Sequence, residues 1–156
     1  HGNRNPQSGF EGDMISGIGL FGSGADNEVW SYGEEIFEIC KKYMNIREQL
    51  RPYVREQMQL AHEKGTPVMR PLFYDFPEDA ASWDVDDAYM FGPELLVAPV
   101  LWKDVETRQV YLPAGCRWTD CHTGKVLEGG QTVTAEAPAD VIPVFRREGS
   151  ELALKL

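Results

Sequence analysis

The sequence predicts an α+β chain in which a glycine-rich loop and a long, kinked helix precede a small all-β sandwich. Three observations predict it. Eight of the fifteen glycines fall in residues 1–33, a stretch with neither helical nor alternating period. One helical period then runs across 34–64. From Thr66 onward, apolar residues gather in short segments with proline or glycine about every ten residues, the pattern of a sandwich or barrel. The chain has 156 residues and is 42% hydrophobic, enough to bury a core, which excludes wholesale disorder.

The glycine-rich stretch includes Gly2, Gly9, Gly12, Gly17, Gly19, Gly22, Gly24 and Gly33. Loops this long in compact domains are functional, or belong to a larger structural context. The helix opens with Ser31 and Glu34 at capping-box spacing. Its apolar face reads Ile36, Ile39, Cys40, Tyr43, Ile46, Leu50, Tyr53, Val54 and Ala61, and Gly65 and Pro67 stop it. Pro52 lies inside the run, lacks a donor and clashes with the carbonyl of Glu48, which predicts a kink or two abutting helices. The strand candidates are 67–76, 89–102, 108–112, 115–121, 131–135 and 141–147.

Charge narrows the function. Fifteen basic against 25 acidic residues leave a net charge of −10. Such a surface repels phosphate backbones and anionic lipid, so neither nucleic acid nor a membrane is expected as a partner. No apolar run approaches the ~20 residues of a membrane helix. Cys40, Cys116 and Cys121 are an odd, sparse set that falls short of a zinc site or a disulfide framework. Free thiols in a reducing, cytoplasmic setting are the expectation. The chain starts at His1, as expected of a processed protein or a piece of a longer one.

Few residues suggest chemistry by themselves. Gly17-x-Gly19-x-x-Gly22 matches the dinucleotide fingerprint in letters, but Ser23-Gly24-Ala25-Asp26-Asn27 is a poor first helical turn and no βαβ unit surrounds it. The carboxylates Asp75, Glu78, Asp79, Asp84, Asp86 and Asp87 lack calcium-loop spacing and read as a solvated turn, with Asp79 or Asp86 capping a short helix. Glu11 and Asp13 lie in the glycine-rich loop, where nothing fixes their side chains as a hydrolytic pair. His62 suits the negative end of the helix dipole, and His122 has no evident partner. His1 and Arg4 are the remaining ligand candidates.

Several strings together resemble the C-terminal part of glycoside hydrolase family 31, the α-glucosidases and α-xylosidases. His1-Gly2-Asn3-Arg4 resembles the family's R-x-H-G segment. Ile46-Arg47-Glu48-Gln49-Leu50-Arg51-Pro52-Tyr53 is similar to its L-R-x-x-L-x-P-Y helix. The run from Gly65 to Phe73, then Asp75-Phe76-Pro77, resembles G-x-P-V-M-R-P-L-F-x-x-F-P. Met90-Phe91-Gly92 with Leu95 to Val100, then Tyr111 to Gly115, Trp118 and Thr123-Gly124, continue the likeness, and Ala137-Pro138, Ile142 to Phe145 and Arg147 to Ser150 close it.

The resemblance implies retaining cleavage of α-glycosidic bonds by two aspartates on earlier strands of a (β/α)8 barrel, so no catalytic residue is expected in this chain. A barrel takes ~250 residues, so the chain would be a C-terminal fragment, inactive alone. It implies that residues 1–65 end the barrel and 66–156 form the proximal β-sandwich. His1 becomes the substrate-binding residue, bonded to hydroxyls of the sugar nearest the scissile bond. The implied partners are an α-linked oligosaccharide or glycoside and the remainder of the barrel, with a homo-oligomer left open. No cofactor or metal is implied. The alternative is a stand-alone β-sandwich module that binds carbohydrate or protein, for which exposure of Trp83, Trp102 and Trp118 discriminates.

Overall fold

The computed structural model describes residues 28–154 and 156. A 3-10 turn, Val29–Tyr32, leads into helix α1, Glu34–Gln49, and helix α2 follows at Arg51–Lys64. Two compact units divide the chain, 1–45 and 46–156. The helix breaks where Pro52 requires it. Leu50 joins the two helices, its N–H donating to the Ile46 carbonyl at 3.0 Å and its carbonyl accepting from Val54 at 2.9 Å, and Pro52 sits in the first turn of α2, where a missing N–H costs nothing. At the far end, the Gly65 N–H returns to the Ala61 carbonyl at 3.0 Å and closes α2. The capping box does not form. Ser31 lies within the 3-10 turn, and the Gly33 carbonyl accepts from Phe37 as α1 begins.

The second unit holds an antiparallel sheet of six strands: β1 Met69–Arg70, β2 Tyr89–Phe91, β3 Leu95–Val97, β8 Val144–Arg147, β5 Arg117–Asp120 and β6 Val126–Glu128, in that order. The remaining strands, β4 Thr107–Leu112 and β7 Gln131–Glu136, pair only with each other. Register explains the inner face of the large sheet. Met90 stands opposite Leu96, and Leu96 opposite Phe145, so one row of apolar side chains crosses three strands. That row joins Trp118 in a cluster with Val110, Leu112 and Ala135 of the two-stranded sheet. The core therefore lies between the two sheets, as the strand pattern predicts.

Three segments differ from the sequence reading. Residues 67–76 are not one strand: Pro71 precedes a helical turn, α3 Leu72–Asp75, which ends at Phe76 before Pro77. The 89–102 segment is a hairpin, because Gly92 at φ +60° turns the chain between β2 and β3. Strand β6, only three residues long between glycines, is too short to show a period in the sequence. The turn after it is tight. A Cβ on Gly129 would lie 2.2 Å from the Pro113 carbonyl oxygen.

Helix α2 docks on the sheet through Tyr53, on the same helical face as buried Gln57. The Tyr53 hydroxyl donates to the Phe91 carbonyl at 2.8 Å and accepts the Glu94 N–H at 3.3 Å. Its ring meets Phe91 edge-on at 6.1 Å between centroids. Burial is the main cause pushing its hydroxyl up to about 12, so it stays protonated as a donor. Gly92 makes this contact feasible, since a Cβ there would fall 2.0 Å from the Tyr53 oxygen. Gly92→Ala should thus cost about 2–4 kcal/mol through strain and clash together. Gly149→Ala has positive φ but nothing within 4 Å, and should cost only about 1 kcal/mol. Urea midpoints of the two variants test this, and equal losses would contradict the docking geometry.

Candidate functional site

The sequence candidates His1, Arg4, Glu11, Asp13 and the Gly17–Gly22 motif lie outside the described residues. His62 is exposed in the last turn of α2. His122 does have a partner, contrary to the sequence reading: its Nε2 lies 2.8 Å from the Ile142 carbonyl, and its N–H donates to Asp120 Oδ1 at 2.8 Å. It pins a turn. Cys40, Cys116 and Cys121 are free thiols, and burial first of all pushes Cys121 up to about 11. Such a thiol is a poor nucleophile at neutral pH.

The acidic segment is more than a solvated turn. Three of its six carboxylates take separate structural roles, while Glu78, Asp84 and Asp86 are exposed. Asp75 forms a buried ion pair with Arg70 at 2.7 Å, and the Arg70 guanidinium lies over the Tyr74 ring. Burial outweighs the pull of Arg70 and Arg147 and holds the Asp75 carboxyl above its ordinary range. Of the two cap candidates, Asp79 rather than Asp86 caps the 3-10 turn Ala80–Trp83, accepting from Ala81 at 3.2 Å. It also accepts the Tyr111 hydroxyl at 2.8 Å and the Ala114 N–H at 2.8 Å. Asp87 pairs with Arg108 at 2.8 Å. Among the described residues, no group of three His, Cys, Asp or Glu side chains is placed to hold a metal ion.

The tryptophans separate as well. Trp118 is fully buried, donates Nε1–H to the Pro113 carbonyl at 3.0 Å and packs on Phe76 at 5.7 Å between centroids. Trp83 is exposed but stacks on Phe73 at 4.5 Å, and its Nε1 is held by the Pro77 carbonyl at 3.0 Å. Only Trp102 of the three shows no ring partner, on the loop between β3 and β4.

Strings 65–76, 90–100 and 111–124 thus place buried rings and paired charges in contacts within the sandwich. A family model described as the glycosyl hydrolase family 31 C-terminal domain matches residues 65–152. The chain belongs to glycosyl hydrolase family 31. It is similar to alpha-glucosidase 2 of Bacillus thermoamyloliquefaciens, with 39% identity over 81% of this chain and 16% of that protein. It is also similar to a solved family 31 alpha-xylosidase from a soil metagenome, complexed with xylose. There identity is 52% and the TM-score 0.80, over 83% of this chain and 19% of the other. A Flavobacterium johnsoniae family 31 dextranase variant complexed with isomaltotriose superposes at a TM-score of 0.76, with 36% identity over 79% of this chain and 15% of that one. The chain therefore spans less than a fifth of the length of each of these relatives.

In this family 31 chain, the strings shared with the family place their polar side chains in joints. Tyr53 ties α2 to the β2–β3 turn, and Arg70 and Asp75 brace α3. Arg147 covers the Phe76 ring at 4.7 Å from its centroid.

The Asp79 joint makes a pH-dependent prediction. Burial resists its ionisation, but the Ala114 and Ala81 N–H groups and the Tyr111 and Ser82 hydroxyls prevail and hold its carboxyl below the usual range. A depressed carboxyl contributes stability that is complete above about pH 4 and lost as pH falls through the folded value. Asp79→Asn should therefore lower stability by about 1–2 kcal/mol at pH 7. The gap to the parent should shrink as pH falls below the ordinary carboxylate range and the parent's Asp79 becomes neutral in turn. A gap that stays constant in urea melts from pH 7 to pH 2.5 would contradict this.

Proposed function

We propose that the chain is the C-terminal portion of a retaining α-glycosidase that releases α-linked glucose or xylose from non-reducing ends. On this reading residues 1–65 end the catalytic (β/α)8 barrel, and residues 66–156 form the proximal sandwich that buttresses it. The nucleophile and the acid/base, both aspartates, belong to barrel strands that precede this chain. His1 contributes a hydrogen bond to the bound sugar at the barrel mouth. The partners are the rest of the barrel and an α-linked oligosaccharide, and the setting is cytoplasmic, in keeping with three free thiols.

One observation carries the reading: the 52% identity and TM-score of 0.80 to the alpha-xylosidase complexed with xylose. The motifs quoted above fall in family order along nearly the whole chain, which supports the same placement. The described joints agree with a supporting role, since their charged groups are paired within the sandwich.

The intact longer protein should hydrolyse aryl α-glucosides or α-xylosides with retention at the anomeric carbon, read by NMR of the first product. The 156-residue chain alone should stay at the buffer rate. Turnover by the chain alone that vanishes in Asp13→Asn would overturn the assignment. In the longer protein, His1→Ala should lower kcat/KM by roughly 10²–10³, about 3–4 kcal/mol of transition-state stabilisation. Its unfolding temperature should barely move. A sharp loss of stability with kcat/KM intact would make His1 scaffolding.

A further inference from the structure

The geometry points to Trp102 as the platform of a surface site for neutral oligosaccharides. Its indole is 78% exposed on the loop between β3 and β4, and Leu101 and Val105 flank it. The loop is braced at both ends. The Ala98 N–H donates to the Pro143 carbonyl at 3.0 Å, and the Ala137 N–H to the Glu106 carbonyl at 2.7 Å. The Arg108 guanidinium also donates to the Pro99 carbonyl, and to the Asp87 carbonyl at 3.1 Å. Between these anchors Asp104 takes a positive φ of 60° two residues after Trp102.

Concave surface lies on two sides of Trp102. A groove of about 840 Å³ is walled by Trp102, Val105, Pro138 and Val141, with Asp104 and Glu106 also lining it. A smaller hollow of about 200 Å³ shares Trp102 and Val105 and reaches Gln109 and Arg108. The indole is therefore a wall common to both.

Ligand chemistry follows from that lining. A flat aromatic face suits the C–H face of a pyranose ring, and carboxylates accept hydrogen bonds from its hydroxyls. An anionic ligand would meet Asp104, Glu106 and a chain of net charge −10. A second copy docked symmetrically on this face would set the same carboxylates against each other. A neutral polyhydroxylated chain meets neither penalty. The choice of α-linked glucosides as probes rests on the function proposed above; the aromatic platform itself does not.

Calorimetric titration of the intact chain with maltotriose and isomaltotriose tests the site. Saturable binding is expected, weakened about tenfold or more by Trp102→Ala, the scale on which removal of an aromatic anchor acts. Trp102→Phe, which keeps a stacking face, should restore most of it. The side chain is exposed, so both variants should keep the parent's urea midpoint. Absence of saturable heat with either sugar would overturn the proposal, as would equal binding by Trp102→Ala. A Trp102-dependent dimer in sedimentation, indifferent to sugar, would overturn it in favour of self-association. Failure of the longer protein to hydrolyse glycosides would strike the proposed function alone, because this titration involves no turnover.

Discussion

One hydroxyl group fixes where helix α2 meets the sheet. Tyr53 bonds two backbone groups of the β2–β3 turn, the Phe91 carbonyl and the Glu94 N–H. It can do so only because Gly92 between them carries no side chain. Both partners are main-chain atoms, so the contact fixes the path of the turn as well as the position of the helix. The turn sets the register of β2 against β3, and β3 sets that of β8. The row Met90–Leu96–Phe145, and with it the inner face of the large sheet, follows from that register.

Around this joint the sandwich uses charge for placement. Arg70 and Asp75 are almost withdrawn from water, and pairing two buried ions adds little net stability beside an apolar substitute. Removing one partner is far more damaging, because the other is left buried and unpaired. The pair thus rejects alternative packings of α3. Arg147 over Phe76, and Phe76 against Trp118, continue the chain of contacts into the core. Asp79 plays the corresponding part at the other sheet, where one carboxylate gathers Ala81, Tyr111 and Ala114. These contacts hold the sandwich to one packing, in a chain whose solved relatives are several times longer.

The period-based elements were legible in the sequence. Pro52 announced the helix break, Gly65 the helix end, and Asp79 the cap of a short turn. Elements shorter than one period were not: α3 has four residues and β6 three, and no repeat can be read over so few positions. Pairing across the chain was equally hidden. Nothing local tells Asp75 that Arg70 shares its pocket, or His122 that the Ile142 carbonyl meets its ring nitrogen. The family strings pointed to important residues without saying what each does, and geometry assigns Tyr53, Gly92 and Trp118 to structure. The sugar contact ascribed to His1 rests on the sequence alone, because His1 lies outside the described residues. Exposure of Trp102, by contrast, could be learned only from the fold.

Native-state hydrogen exchange over residues 46–154 tests most directly whether Tyr53 makes helix and sandwich one cooperative body. The slow amides of α2 should open with the same free energy and denaturant dependence as those of β3 and β8. In Tyr53→Phe, which removes the hydroxyl and leaves the ring, the α2 amides should fall to a lower free energy while β3 and β8 remain together. Amides of α2 that open independently in the unaltered chain would contradict the account.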